Sequence, residues 1–253
     1  MIKVKDQLNN EIELANPAKR IISLVPSQTE LLHFFGLDDE VVGITKFCIH
    51  PERWFQSKTR VGGTKKLDLD KIRNLRPDLI IANKEENTQD EIELLQKEFV
   101  VYISDIITFE QAYDMIESVG RLCGKEQRAV DLIDEIQESF DSYVPKHKKV
   151  VYLIWNDPYM CVGTDNYINS VFDIAGYQNV IQQSRYVEIS EDEIIRLKPD
   201  VIFLSTEPYP FKKEHVQQLR ERTGIPVKIV DGEMFSWYGS RMKDLRNYLD
   251  SLD

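Results

Sequence analysis

The chain has 253 residues, 42% of them hydrophobic, which is enough to bury one large core or two moderate ones. Its formal net charge of −11 argues against nucleic acid and anionic membrane surfaces as partners, since both attract basic proteins. Three widely spaced cysteines, an odd number, indicate neither a disulfide framework nor a zinc site. No apolar run approaches the ~18–20 residues of a membrane span, so we expect a soluble protein.

The N-terminal residues predict a small hairpin, followed by a strand and a helix. Apolar and polar residues alternate at 2–4 and 12–14, on either side of an Asn-Asn pair. A buried strand is predicted at 21–25 and a helix at 28–35, where Ser27 and Glu30 have the spacing of a capping box. The amino end of this helix would face the carboxyl end of the strand, where open α/β sheets bind ligands.

The remainder of the first half alternates strands and helices. Strands are predicted at 41–45, 78–82 and 101–105, and helices at 70–75, 88–97 and 108–122. A long connection at 46–60 contains Phe47, His50 and Trp54, and loops of this kind often carry function. Apolar residues at spacings of three and four then predict a long joining helix at 126–143.

The second half repeats the plan of the first. The segments Leu75-Arg76-Pro77-Asp78 and Leu197-Lys198-Pro199-Asp200 each separate a helix from an apolar strand. Strands are predicted at 150–154, 201–204 and 227–231, and helices at 167–175, 191–197 and 242–249. The repeat predicts an α/β protein with an N-terminal lobe at 1–106, a helical connection at 107–145 and a C-terminal lobe at 146–253.

Loops at the predicted strand ends are rich in aromatic and amide side chains. If the two lobes face each other, these side chains would line a cleft suited to a large, partly apolar ligand. They are Phe47, Asn83, Asn87, Trp155, Tyr159, Tyr186, Tyr209, Trp237 and Tyr238. Trp237 and Tyr238 lie between Ser236 and Gly239 without an apolar period, which favours a functional role over core packing.

Motifs for catalysis are missing from the sequence. There is no G-x-S-x-G, no G-x-G-x-x-G and no pair of carboxylates with hydrolase spacing, and the segment 61–66 resembles a phosphate loop only superficially. We therefore expect no enzymatic activity, no intrinsic cofactor and no metal site. His50, beside Pro51 in a loop, is the only histidine that we consider as an axial ligand to a bound metal.

Several of these segments resemble one protein family. Residues 20–27 read Arg-Ile-Ile-Ser-Leu-Val-Pro-Ser and are followed by Thr29-Glu30-Leu31, which is similar to the opening of class III periplasmic binding proteins. Val61-Gly62-Gly63, the Pro-Asp segments and Gly239-Ser240-Arg241 extend the resemblance over nearly the whole chain. Cobalamin-binding proteins of ABC importers look most similar. The resemblance implies two Rossmann-like lobes joined by a single long helix, with a ligand cleft between them.

The resemblance also implies which residues contact the ligand. Phe47 would do so from the first lobe, and Trp155, Tyr186 and the closing loop 233–237 from the second. The full set of expected ligand-binding residues is Phe47, His50, Asn83, Trp155, Tyr159, Tyr186, Glu233, Phe235, Trp237, Tyr238 and Arg241. Cobalamin binders have tryptophans where this chain has Thr64 and Asn83, so another corrinoid, a haem or a siderophore-type chelate stays open as the ligand.

The resemblance further implies a membrane permease that docks on one acidic residue of each lobe, here Asp70 and Asp192. The alternative is that these aspartates only stabilise the amino ends of their helices. The first residues lack the apolar core of a secretory signal, which predicts a cytoplasmic monomer, or a periplasmic one if a leader was removed. The alternative function is a cytoplasmic enzyme or metallochaperone that handles a corrinoid or an iron chelate.

Overall fold

The computed structural model describes residues 1–252, and contacts between their Cα atoms divide the chain into two compact units. Unit 1 contains Met1–Ile106, Glu110–Glu138 and Trp237–Lys243. Unit 2 contains Ile107–Phe109, Ser139–Ser236 and the segment from Asp244 onward. This division differs from the predicted one in two places: most of the helical connection groups with unit 1, and so does the closing segment 237–243.

The elements of the first 140 residues alternate as the sequence predicts. Their bounds are β1 Ile2–Lys5, β2 Glu11–Leu14, β3 Ile21–Ser23, α1 Pro26–Phe34, β4 Val41–Ile44, α2 Glu52–Ser57, β5 Thr59–Arg60, α3 Leu69–Leu75, β6 Leu79–Asn83, α4 Gln89–Gln96, β7 Val101–Ser104, α5 Phe109–Leu122 and α6 Glu126–Phe140. The predicted hairpin is confirmed, with Ile2 opposite Leu14 and Lys5 opposite Glu11. The predicted joining helix is three residues too long, because the chain turns after Phe140.

The remaining elements form the second βα half. Their bounds are β8 Lys148–Trp155, β9 Met160–Val162, α7 Tyr167–Ala175, β10 Tyr177–Asn179, β11 Tyr186–Glu188, α8 Glu191–Leu197, β12 Val201–Ser205, α9 Lys213–Thr223, β13 Val227–Val230, α10 Gly232–Ser236 and α11 Met242–Asp250. The sequence predicts loops or connections where α2, β5, β11 and α10 form, and it indicates no element at β9, β10 or α9. Among residues 1–252, no helix has both the length and the apolar character needed to cross a membrane.

The sheet of unit 1 is entirely parallel, in the strand order β5-β4-β3-β6-β7. Strands β6 and β7 are fully buried and mostly apolar, as expected when both faces of a parallel sheet are covered. The edge strand β5, in contrast, consists of the exposed residues Thr59–Arg60. On one face, Ile22, Ile80 and Ile103 pack in a core cluster with Ile72 of α3 and Leu95 of α4. All five strands end at the same edge, so the loops that follow them are brought together there.

The sheet of unit 2 is mixed, in the order β11-β9-β8-β12-β13 with β10 also paired to β8. Strand β10 pairs in parallel with Lys148–Val150, at the start of β8. Strand β9 pairs antiparallel with Leu153 and Trp155, at the end of β8. One edge of β8 is therefore shared between two short strands, and only the carboxyl end carries an antiparallel hairpin. The predicted α/β class is confirmed in both units.

The two Pro-Asp segments have the same backbone geometry. Arg76 ends α3 at φ 48° and Lys198 ends α8 at φ 49°, both in the left-handed region. The Asp78 carboxylate accepts hydrogen bonds from the backbone amides of Lys19 (2.8 Å) and Arg20 (2.9 Å). The Asp200 carboxylate accepts one from Lys149 (2.7 Å). Each aspartate thus fixes the start of the neighbouring first strand, which is why the motif recurs.

The capping box predicted at Ser27 and Glu30 is wrong. Helix α1 begins two residues earlier than predicted, at Pro26, and its N-cap is Val25 without a side-chain hydrogen bond. Proline suits this first position because its missing N–H would have no helical partner there. Ser27 is consequently inside the first turn and buried, and Glu30 is free for a different interaction.

Candidate functional site

The carboxyl edge of the unit 1 sheet brings Trp237 against His50. Their rings meet edge to face with centroids 5.7 Å apart. The guanidinium of Arg241 lies 4.6 Å from the centroid of the Trp237 ring, and it donates two hydrogen bonds of 2.9 Å to the two carboxylate oxygens of Glu30. This fork is a geometry that only arginine provides, and it holds Arg241 against the indole. Trp237, predicted to act from the second lobe, belongs to unit 1.

Asn83 and Tyr238 form the buried layer beneath this surface. Asn83 Nδ2 donates to the Tyr238 hydroxyl (2.9 Å) and to Ser104 Oγ (3.0 Å), and its Oδ1 accepts from the amides of Glu85 and Glu86. Both side chains are more than nine-tenths buried. Burial, reinforced by Glu86, raises the pKa of the Tyr238 hydroxyl, so it is un-ionised at neutral pH. These two predicted ligand contacts position the loops and leave little surface for a ligand.

Phe47 is exposed at the same edge of unit 1. Half of its surface is open to solvent, and the ammonium of Lys46 lies 5.0 Å from its ring centroid. Both side chains cross Gly63 closely: a Cβ there would be 3.2 Å from Lys46 Cε and 3.2 Å from Phe47 Cε2. Glycine therefore permits this packing, and Phe47 keeps the exposure expected of a ligand contact.

In unit 2, Trp155 is the exposed aromatic at the end of β8. Its surface is 41% open, and its ring meets Tyr209 edge to face at 5.6 Å. Asn156 Nδ2 donates to the Tyr209 hydroxyl at 3.3 Å. Tyr186, predicted in a loop, is the first residue of β11 and pairs with Val162. It remains 37% exposed beside Arg185, whose guanidinium is 5.9 Å from its ring.

Tyr159 lines a cavity of about 610 Å³ in unit 2. Its hydroxyl donates to Glu191 (3.3 Å) and accepts from Arg222 (3.1 Å), and these two side chains form an ion pair at 3.2 Å. Partial burial raises the pKa of Tyr159. The tyrosine lines this cavity, but its hydroxyl is already hydrogen-bonded to Glu191 and Arg222.

Phe235 is not available to a ligand. It is fully buried in an aromatic core of unit 2, with Tyr152 at 5.2 Å, Phe172 at 5.9 Å and Phe203 at 6.0 Å between centroids. The reason is that the predicted loop forms the short helix α10, which turns Phe235 inward. Glu233, on the same short helix, is half-buried, and its amide donates to Asp231.

The two predicted docking aspartates are exposed but differ in their neighbours. The Asp70 side chain is 89% exposed and pairs with Arg73 at 3.2 Å, and Arg73 also pairs with Glu98. Asp192 is exposed in the first turn of α8, between Glu191 and Glu193. Here Ser190 and Glu193 form a capping box, and these two side chains accept the hydrogen bonds at the amino end of α8.

The described residues offer no assembled metal centre. Among residues 1–252, no three His, Cys, Asp or Glu side chains are placed to hold a metal ion together. The three cysteines are buried, and burial raises the pKa of each thiol, for Cys161 to about 12. The thiols are therefore protonated and unreactive at neutral pH. The axial role of His50 stays a prediction.

Apart from Arg241, the polar residues that organise the site are not predicted by the sequence. Glu30 and Arg241 are 211 positions apart, and no local pattern connects them. Arg222 was not considered because α9 was not assigned. Lys46 and Lys65 were passed over since the glycine spacing around them fits no nucleotide motif. The available signal for a binding site was the occurrence of these lysines close to Phe47 in a chain whose net charge is −11.

Comparisons with known proteins agree with this fold. An uncharacterized ABC transporter substrate-binding lipoprotein, YvrC of Bacillus subtilis, is 27% identical over 215 residues, which are 79% of this chain and 68% of that protein. A vitamin B12-binding protein of Vibrio cholerae is 28% identical over 197 residues, 75% of this chain and 71% of the relative. The crystal structure of the petrobactin-binding protein YclQ from Bacillus subtilis superposes with a TM-score of 0.82 at 20% identity, covering 99% of this chain and 97% of that one.

The family assignment follows from the extent of the match. The model of the periplasmic binding protein family matches residues 21–226, which include both Pro-Asp segments, the whole sheet of unit 1 and the sheet of unit 2 except β13. The expected resemblance is thereby confirmed, and this chain belongs to the periplasmic binding protein family.

Proposed function

We propose that this protein is the substrate-binding component of an ABC importer, and that it binds cobalamin or a related corrinoid or metal chelate without transforming it. The names of the Bacillus subtilis and Vibrio cholerae relatives support the transport role and the corrinoid class respectively. The proposal includes iron chelates because the structural neighbour YclQ is a petrobactin-binding protein. Family membership favours the second of the two predicted locations, outside the cytoplasm.

The observation that carries the proposal is the exposure of aromatic rings at the carboxyl edges of both sheets. Phe47 in unit 1 and Trp155 and Tyr186 in unit 2 keep between 37% and 50% of their surface open. Large aromatics are usually buried in folded proteins, and exposed ones concentrate at binding sites. Their flat faces suit the planar, partly apolar ring of a corrin or porphyrin.

Titration of the purified protein with cyanocobalamin, hemin and ferric petrobactin tests the proposal. Two of the three tryptophans, Trp155 and Trp237, lie at the candidate surfaces, whereas Trp54 is buried and donates to Asp38 at 2.7 Å. We expect saturable quenching by one of these chelates, with a heat of binding in calorimetry and the chelate recovered unchanged. Chemical turnover would support the alternative enzyme, and binding of none of the three would contradict the proposal.

Single substitutions assign the contacts. We expect Trp237→Ala and Trp155→Ala each to weaken binding roughly ten- to a hundredfold, since one aromatic contact contributes on the order of 1–3 kcal/mol. Phe55→Ala is the matched control. Phe55 lies on α2, away from the strand ends, and is half-buried beneath the guanidinium of Arg60. Unchanged affinity with a lower melting temperature would place either tryptophan in the fold and not in the site.

The docking role of Asp70 and Asp192 is part of the same proposal. We expect the double variant Asp70→Lys/Asp192→Lys to abolish uptake of the identified chelate by cells while leaving its affinity for the purified protein intact. A matched control reverses Asp90 and Glu214, which are also acidic residues in the first turns of exposed helices, one in each unit. Normal uptake by the Asp70/Asp192 variant would leave them as helix-stabilising residues only.

A further inference from the structure

Three lysines surround an open groove in unit 1 that no part of the proposed function explains. The groove has a volume of about 900 Å³, within the ~300–1,000 Å³ that small-molecule sites occupy. Lys46, Lys65 and Lys66 line it together with Phe47 and the loop Gly62–Lys66. We call this region the lysine groove. It lies at the carboxyl edge of the sheet, next to the exposed aromatic ring.

Neighbouring carboxylates balance the positive charge of the lysine groove only in part. The two carboxylates on its wall are already engaged: Asp68 pairs with Lys71 at 3.0 Å, and Asp70 pairs with Arg73 at 3.2 Å. Within residues 1–252, none of the three groove lysines forms an ion pair. This concentration of cations occurs in a chain of net charge −11, so it is not a consequence of composition.

The loop beneath the lysines presents backbone donors. Gly62 has φ +106°, and a Cβ there would meet the Lys66 carbonyl at 2.6 Å, so only glycine allows the tight turn. The Gly63 amide donates across the loop to the Lys66 carbonyl (2.8 Å). In the part of the chain that the structure describes, the amides of Thr64, Lys65 and Lys66 donate to no protein acceptor. Successive free amides beside ammonium groups are the usual composition of an anion site.

Two of the three lysines, Lys46 and Lys65, are held in place around this loop. Lys46 lies across Gly63, as its Cε contact shows, and Lys65 Nζ donates to the Glu85 carbonyl. Lys65 also acts on the neighbouring Glu86: desolvation raises the pKa of that carboxyl, and the Lys65 ammonium opposes the shift. A lysine that is already ordered loses less side-chain entropy when an anion binds, which favours binding.

We infer that the lysine groove binds an oxyanion, namely a carboxylate or phosphate group of the small molecule that the protein carries. The identity of that molecule rests on the proposed function, whereas the anion site itself does not. A chelate with an acidic substituent would then place its ring on Phe47 and its anionic group on Lys46, Lys65 and the loop amides. Neutral analogues of the same chelate would bind less tightly.

Titrations of the ¹⁵N-labelled protein with citrate and with inorganic phosphate, at constant ionic strength in sodium chloride, test the inference. We expect saturable shifts of the backbone amides of Thr64, Lys65 and Lys66, and the stronger of the two anions identifies carboxylate or phosphate as the preferred group. The variant Lys46→Gln/Lys65→Gln should weaken anion binding roughly thirtyfold, since each charge contributes roughly fivefold at contact distance in water.

The control variant Lys213→Gln removes an exposed cation from the first helical position of α9, in unit 2, and should leave the anion affinity unchanged. Thermal unfolding verifies that both variants fold. The inference is overturned if neither anion shifts these amides saturably, or if Lys213→Gln weakens binding as much as the double variant does. Chelate binding is measured separately, so an anion site without chelate binding would overturn the proposed function alone.

Discussion

The two units share a framework and differ at the edge where ligands bind. In both, a short helix leads through a left-handed residue and a Pro-Asp turn into an apolar strand of the sheet. In unit 1 the neighbouring strand β4 pairs in parallel with β3. In unit 2 the same edge of β8 is divided between the parallel β10 and the antiparallel β9.

This difference indicates which parts of the repeat are structural. The Pro-Asp turns are tied to strand starts, at the edge opposite the loops that carry the exposed aromatics. The antiparallel hairpin of unit 2 instead changes the carboxyl edge, where Trp155 and Tyr186 are exposed. The features that both units share maintain the sheets. The features that differ between the units provide different side chains for a ligand. Four experiments test this separation, in order of decreasing expected effect.

The largest effect is expected at Phe235, two residues before the chain returns to unit 1. Phe235→Ala removes a fully buried ring from the unit 2 core and should cost about 3–5 kcal/mol of unfolding free energy. Calorimetry should show a melting temperature lower by about 10 °C, at ~2–4 °C per kcal/mol for this chain length. Chelate affinity below that temperature should be unchanged. A loss of affinity without destabilisation would restore Phe235 as a ligand contact.

The paired aspartates should each stabilise the fold through their bonds to strand starts. Asp78→Ala removes charge-assisted bonds to the amides of Lys19 and Arg20, and Asp200→Ala removes the bond to Lys149, so we expect each to lose about 1–2 kcal/mol. Urea unfolding measures both. The Asn variants, which keep one acceptor oxygen, should recover part of each loss. An unchanged unfolding free energy at either position would show that its bonds do not stabilise the strand start.

The ion pair between Glu30 and Arg241 has no counterpart in the repeat. Glu30→Gln leaves the guanidinium with a neutral partner, and for a partly buried pair we expect a loss of about 1 kcal/mol. The released Arg241 should also hold Trp237 less firmly, so chelate affinity should fall severalfold. Glu40→Gln, whose partner Lys19 is more exposed, is the control and should change neither quantity measurably. Unaltered chelate affinity in Glu30→Gln would separate Arg241 from the binding surface.

The smallest effect concerns pH. Helix α1 carries His33, whereas the corresponding α7 has no histidine. Burial, assisted by Arg53, lowers the pKa of His33, so the folded protein binds its proton less readily than the unfolded chain. Stability from this group is therefore complete above the unfolded pKa and declines as the pH falls through 6.5. His33→Gln should reduce the slope of melting temperature against pH between 7 and 5.5; an unchanged slope would contradict this assignment.

Much of the framework was predictable because its signals are local. Apolar runs, helical spacing and the two Pro-Asp turns depend on neighbouring residues, and α7 and α8 were predicted at their observed bounds. The strands β9 and β11 were missed because each has three residues, too few for alternation to be recognised. Helix α10 was missed since Gly232 and Ser236 enclose it with residues typical of loops.

The candidate site was less predictable because its members come from distant parts of the chain. The aromatic character of Phe47, Trp155 and Tyr186 was visible in the sequence, and their exposure agrees with the expected role. Whether Trp237 joins one unit or the other depends on the contacts of His50 and Arg241, which no periodicity encodes. Asn83 is similar: one of its hydrogen-bond partners, Tyr238, is 155 positions away.

The return of residues 237–243 to unit 1 also has a consequence for biosynthesis. The ribosome completes residue 138 long before it reaches Tyr238 and Arg241, and at ~5–20 residues per second the interval is roughly 5–20 s. During that time the nascent unit 1 lacks the partner of Asn83 and the counterion of Glu30. The surface that would contact a chelate is thus assembled last, after almost the entire polypeptide has been made.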